Sequence, residues 1–123
     1  MSLTPQDRMY KRTVQSRIRL NANFRRLRFN DTELGLMPNI DDQGMTQQPG
    51  TEDVQYHHTY KAYIGEFAVK EDNILEAAFT EGAEWEVLND RKTGTEWTTW
   101  VVAQPVKETG LWREVIFTPA LIA

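Results

Sequence analysis

Between residues 84 and 117, three short runs, "EWEVL", "EWTTWVVAQ" and "LWREVIF", are dense in Trp, Val, Ile and Thr. Turns centred on Lys92-Thr93-Gly94 and Thr109-Gly110 separate them. β-Branched and aromatic side chains suit a pleated, half-buried surface, and glycine at a tight turn takes backbone angles that other residues resist. This part of the chain therefore predicts antiparallel strands of hairpin character. Upstream, "VQYHHTYKAYIGEFA" (54–68) puts Val54, Tyr56, His58, Tyr60, Ala62 and Ile64 on one face, the signature of a long strand, with a bend at Gly65. In "RTVQSRIRL", Val14, Ile18 and Leu20 alternate with Gln15, Arg17 and Arg19, which reads as a strand over 12–20. Tyr10, Val14 and Ile18 also stand at i, i+4 and i+8, so a helical turn before residue 14 is the competing reading. "NAN" (21–23) reads as a turn and "FRRLRF" (24–29) as a short second strand or extended arm. "DNILEAAF" predicts a short helix, with Asn73 as cap and Glu76 three residues on. The 123 residues fit one domain. The expected class is mainly β: a small antiparallel β-barrel or sandwich with one short helix, a long loop and an extended basic N-terminal segment whose first part, 1–11, is an arm.

The stretch "LGLMPNIDDQGMTQQPGTED" (34–53) has no period and gathers Gly, Pro, Gln, Asn and Asp, so it reads as a loop. Structureless connections this long are uncommon in a compact domain unless they bind something or move. Met37, Ile40 and Met45 argue for some contact along it. Deleting 38–50 is expected to spare the core.

Charge divides the chain sharply. Residues 1–30 carry Arg8, Lys11, Arg12, Arg17, Arg19, Arg25, Arg26 and Arg28 against Asp7 alone, a balance of +7, whereas residues 31–123 carry −11. Such asymmetry points to nucleic acid or to an acidic partner surface, including that of a neighbouring copy. The plainer alternative is two solvated faces that attract within one molecule. Arg17, Arg19, Arg25, Arg26 and Arg28 are the candidates for contact with a partner or the DNA backbone. No apolar run approaches the roughly 20 residues of a membrane span, and the first residues lack the apolar stretch of a secretory signal, so a soluble protein is expected. The absence of cysteine excludes disulfides, thiolate chemistry and Cys-ligated zinc.

Catalytic signals are sparse. There is no Gly-rich phosphate loop, Gly-x-Ser-x-Gly elbow or His-Glu-x-x-His. His57 and His58, adjacent on a strand, point to opposite faces and are poorly placed to share a metal ion. No enzyme activity, cofactor or metal is expected. Glu84 and Glu86 share a face around Trp85, roughly 6 to 7 Å apart, a separation glycosidase carboxylates can have, but two such residues are far more often the solvent side of an edge strand. "NDT" at 30–32 matches a glycosylation sequon, a short pattern that arises by chance. Of the four tryptophans, Trp97 and Trp100 stand an odd number of residues apart and so face opposite sides. Trp85 and Trp97 are assigned to the core; Trp100 and Trp112 are the candidate subunit-contact aromatics.

The C-terminal hairpin also carries a resemblance. "WTTWVVAQPVKETGLWREVIFTP" (97–119), preceded by Gly82, Trp85, Glu86 and Val87, resembles the ending of the head–tail joining proteins of tailed phages, the head-completion or stopper proteins of the neck. Pro105, Gly110 and the strand at 111–117 stand where that family has a proline, a turn glycine and a last apolar strand. The upstream order, an N-terminal strand, a long polar loop and a strand with Tyr56, Thr59 and Tyr60, agrees with it. The resemblance implies a virion protein made in the host cytoplasm, a connector subunit that forms a homo-oligomeric ring with portal or adaptor and tail proteins as partners, DNA in its channel and no membrane. It also implies that the loop, with Pro38, Ile40, Asp41, Asp42, Gln43, Met45, Gln47 and Gln48, closes the channel or contacts the next ring.

Three readings follow. The first is this connector subunit, with tail terminator or adaptor as related roles. The second is a nucleic-acid-binding β-barrel whose arginines track phosphates while aromatics stack bases. The third is a glycan module using Trp100, Trp112 and the Glu84/Glu86 pair.

Overall fold

The computed structural model describes residues 3–20, 23–47, 56–88 and 96–120. The chain runs through α1 (Pro5–Ile18), β1 (Leu27–Phe29), β2 (Thr32–Glu33), β3 (Asn39–Gln47), β4 (Tyr56–Gly65), α2 (Glu66–Glu71), a 3-10 turn (Glu76–Phe79), β5 (Glu84–Leu88), β6 (Trp97–Val102), β7 (Lys107–Glu108) and β8 (Trp112–Pro119). The protein is mainly β: eight antiparallel strands form one sheet in the order β2-β1-β5-β6-β8-β4-β3, with β7 also on β8. That sheet is not closed into a barrel. Its two ends nevertheless approach. A single bridge joins Phe24 to Asn39, and Arg25 N–H donates to the Pro38 carbonyl (3.2 Å) and Ile40 N–H to that of Asn23 (3.0 Å).

Alternation along the strands builds the core. Trp85 and Val87 of β5, Trp100 and Val102 of β6, Val115 and Phe117 of β8, Ala62 and Ile64 of β4 and Ile40 of β3 all point into it. Trp85 is completely buried, touches the rings of Phe29, Phe79 and Phe117, and satisfies its indole N–H on the Ala78 carbonyl at 2.7 Å. Each such aromatic contributes about 1.5–3 kcal/mol by leaving water. Phe67, Ala68 and Val69 of α2, with Ala78 and Phe79 of the 3-10 turn, cover one end of this core. The chain passes straight from β4 into α2 at Gly65, where any Cβ would overlap the Phe67 ring, so glycine is required by close approach.

Three segments fold otherwise than expected. Residues 12–20 are not a strand: α1 covers them to Ile18, and from Leu3 onward the expected extended arm is this helix and its cap. Pro5 stands at the first helical position, the Thr4 hydroxyl accepts from Asp7 N–H, and the Asp7 carboxylate accepts from Thr4 N–H, both at 3.1 Å. Tyr10, Val14 and Ile18, the helical alternative, form its inner stripe, and Leu20 is exposed. An i+4 spacing also lands on even positions, so the helical and strand periods coincide at Val14 and Ile18.

The 34–53 stretch is not one loop. β3 occupies 39–47 and pairs with β4, and Pro38 and Ile40 are buried, so deleting 38–50 would remove a strand and part of the core. Nor does Asn73 start a helix. With φ of 53° it ends α2, and Ile74 N–H donates back to the Val69 carbonyl at 3.1 Å, a Schellman closure that leaves only the 3-10 turn beyond. The expected single short helix is thus replaced by α1 and α2. Finally, the "NDT" sequon supplies the β1–β2 turn, with positive φ at Asn30 (48°) and Asp31 (65°), as a two-residue hairpin demands.

Candidate functional site

The first candidate surface is a ribbon built by β3 and β4. β8 pairs with β4 only from Tyr60 to Gly65, whereas β3 follows β4 out to the rung of Gln47 and Tyr56. The four rungs from Gly44/Thr59 to Gln47/Tyr56 therefore lie beyond the neighbouring strand. At about 3.3 Å per residue they project the ribbon by about 13 Å. A bulge at its root inserts Gln43 between paired Asp42 and Gly44, and Gly44 takes φ of 69° to accommodate it. There Asp42 Oδ1 accepts from Gly44 N–H (2.8 Å) and lies 2.6 Å from His58 Nε2. The Gly44 N–H, then the histidine, hold the Asp42 carboxyl below the usual aspartate range. His58 stacks on Tyr60 (4.6 Å) and Tyr60 on Trp100 (4.2 Å), so a pile of rings ties the ribbon root to the core.

Of the residues expected in a channel loop, Pro38 and Ile40 are buried in the fold, and Asp41 is half-buried opposite Lys61. Asp42, Gln43 and Met45 are exposed at the ribbon root and along it, Gln47 ends β3, and Gln48 lies outside the described residues.

The expected arginine set divides in two. Arg28 makes a two-bonded pair with Glu86 (Nε to Oε1 3.0 Å, Nη2 to Oε2 2.9 Å), and Arg26 makes one with Glu33 (Nη2 to Oε2 2.9 Å). Both guanidiniums lie against Trp97, Arg28 at 4.0 Å and Arg26 at 5.5 Å from the ring centre. The arginines hold the Glu33 and Glu86 carboxyls below the usual glutamate range. Trp97 is accordingly half-buried beneath two cations and not in the core, and Glu86 is committed to an ion pair while Glu84 is exposed. Arg25 is half-buried, and its charge acts on Asp42 and Tyr60. Arg17 and Arg19, by contrast, are exposed on α1 and at its C-terminal cap.

Neither candidate aromatic is a free surface ring. Trp100, 4% exposed, is packed between Tyr60 and Phe117, so its expected role in subunit contact is ruled out by burial. Trp112 is half-buried and stacks on Tyr10 at 5.5 Å and 20°, clamping α1 to the sheet. A further cluster escaped the sequence reading. Arg113, 5% exposed, holds Glu66 through Nε (2.9 Å) and Nη2 (2.6 Å), and Glu76 through Nη1 (2.9 Å) and Nη2 (3.0 Å). Glu108 lies 3.9 Å away, and the Phe79 ring lies under the guanidinium at 4.4 Å. These carboxylates, Glu66 foremost, push the Arg113 pKa up from its ordinary value. The alternation of β8 marks Arg113 as inward-facing, a signal visible in the sequence; its partners, 47 and 37 residues away, are not.

Among the described residues, no group of three or more His, Cys, Asp or Glu is placed to hold a metal ion, and no helix is long and apolar enough to cross a membrane. Comparison with protein-family models and with curated proteins finds no match to this chain.

Proposed function

We propose that this chain is a structural subunit of a tailed-phage virion, a connector that assembles as a ring at the neck between the portal-side complex and the tail. The observation that carries this reading is the β3–β4 ribbon. Among the described side chains of its outer four rungs none belongs to the apolar core, and the rungs lie beyond the β8 edge of β4. A projecting two-stranded ribbon offers open backbone donors and acceptors for strand addition, and in a ring such ribbons converge on the axis. The resemblance of the C-terminal hairpin to stopper proteins supports the same assignment. So does the charge of the body, −11 over residues 31–123, which would let DNA pass without adhering. Stopper, terminator and adaptor share this ring and differ in the neighbour that the ribbon and helix meet. The nucleic-acid-binding alternative is weakened by Arg26 and Arg28, whose charges are already spent on Glu33 and Glu86.

Electron microscopy of the chain mixed with a tailed-phage portal complex provides the test. A ring seated on the portal, with density from 44–59 reaching into the channel, is the expected result. Failure to seat on portal or tail complexes, together with tight, steeply salt-dependent binding to free DNA, would favour the nucleic-acid reading and dismiss this one.

A further inference from the structure

We infer that the outer face of α1 is a docking surface for a second copy of this chain, and that it meets the carboxylate patch around Arg113 on that copy. The inference rests on the ring reading above and names the two faces that would join in it.

Arg8, Arg12 and Arg19 stand at i, i+4 and i+11, which places them within an arc of about 40° and along about 16 Å of one helix. Arg19, the cap residue, keeps helical angles (φ −70°, ψ −23°), so the line continues through it. The stripe faces away from the inner residues Asp7, Tyr10 and Val14. Lys11, beside it, is the helix lysine engaged at home, with Glu71 at 2.7 Å. Arg12 and Arg19 make no ion pair among the described residues, and Arg8 donates to the Leu3 carbonyl at 3.0 Å. Next to the arginines, Met9 is 69% and Leu20 is 89% exposed. Phosphate backbones are gripped by cations and polar groups, whereas exposed Met and Leu gain by burial against protein. The mixture therefore favours an acidic protein face over DNA.

Such a face exists on the same chain. Glu66, Glu76 and Glu108 surround the single buried charge of Arg113, leaving an excess of two negative charges, and the Glu76 and Glu108 side chains are 76% and 65% exposed. Lys107, the cation adjacent to Glu108 on β7, points to the other side of that strand. Joining a cationic face on one copy to an anionic face on the next is a heterologous contact. It leaves one of each unused on every pair, and so propagates until rotation closes a ring.

The chain has no cysteine, so single thiols can be placed at will. Arg12→Cys and Glu108→Cys variants, each confirmed to melt like the parent, would be oxidised separately and mixed, at low salt. The inference expects a dimer in the mixture at least tenfold above either variant alone, and a ladder of multimers from a chain carrying both substitutions. Adding Arg8→Glu and Arg19→Glu should abolish both products. A dimer formed by Arg12→Cys alone would overturn it by making the helix contact symmetric. So would Arg8→Glu and Arg19→Glu weakening binding to duplex DNA while leaving self-association unchanged. Rings on the portal without the mixed dimer would overturn these faces and spare the ring reading; no ring and no dimer would dismiss both.

Discussion

Replacing Arg113 by alanine takes the one cation from a site where β8, α2 and the 3-10 turn meet. Removing one partner of a buried ion pair costs about 3–5 kcal/mol because the other charge is left desolvated. Here the two carboxylates fare differently. Glu76, 76% exposed, is free to turn into water, while Glu66, 20% exposed, is stranded. The lower end of that range, about 3 kcal/mol, is therefore expected. With an unfolding entropy of about 2.1 cal/mol/K per residue over 123 residues, 3 kcal/mol corresponds to a fall in Tm of roughly 12 °C. Circular dichroism or calorimetry measures it directly. A double-mutant cycle with Glu66→Ala isolates the pair and should return a coupling above about 1 kcal/mol. Arg113→Met combined with Glu66→Leu, which removes both charges and keeps volume, should recover most of the loss. The effect is also pH-dependent. Arg113 holds the Glu76 carboxyl below its ordinary value of 4.5, so this share of stability is present above that pH and is lost as pH falls through the lowered folded value. The gap between parent and Arg113→Ala should narrow on acidification below 4.5. A fall in Tm under about 3 °C at neutral pH, or a coupling under about 0.5 kcal/mol, would refute the reasoning.

Two other perturbations test the elements that carry the candidate surfaces. Asp7→Ala removes both the Thr4 cap contact and the 2.7 Å bond from Lys70, and should cost about 2 kcal/mol in a thermal melt, the fully buried-pair figure being reduced because Lys70 reaches water. Lys70 holds the Asp7 carboxyl below its ordinary 3.8, so the gap should be full near neutrality and close as pH falls through the lowered value; a pH-independent gap would count against the pair. Shortening the ribbon, by joining Met45 to His58 through an Asn-Gly turn so that the His58 contacts stay, should leave Tm within about 4 °C of the parent, since no described side chain it removes belongs to the core. A larger fall would mean that the ribbon is part of the domain's support and not a projection from it.

What could be read in advance was what local chemistry determines. β4, β5, β6 and β8 carry their own alternation of Trp, Val, Tyr and Ile, and each forms over most of its expected run, although residues 66–68, read as the end of the β4 strand, begin α2. β3 could not be read: "NIDDQGMTQ" has weak strand preference and a bulge, and is held as a strand by pairing with β4 across a connection outside its own sequence. α1 was legible in principle through Thr4, Pro5 and Asp7, but Val14, Ile18 and Leu20 satisfied the strand period as well. The arginines show the same limit. Nothing local distinguishes Arg28, spent on a glutamate 58 residues away, from Arg19, exposed at a helix end. Ion pairing between distant segments is a tertiary outcome, so a count of basic residues overstated the charge free to meet a partner.

The position of β8 has a consequence for how the molecule comes into being. β3 with β4, and β5 with β6, can each pair as soon as they are made, yet within the sheet the two hairpins are joined by strand pairing only through residues 112–119. As the chain emerges from the ribosome it must therefore wait as two half-sheets with raw edges and uncovered Trp and Val side chains until the joining strand is synthesised. Chaperone binding and proteolysis should fall in that interval, and a stalled chain lacking those residues should be degraded while the finished one persists.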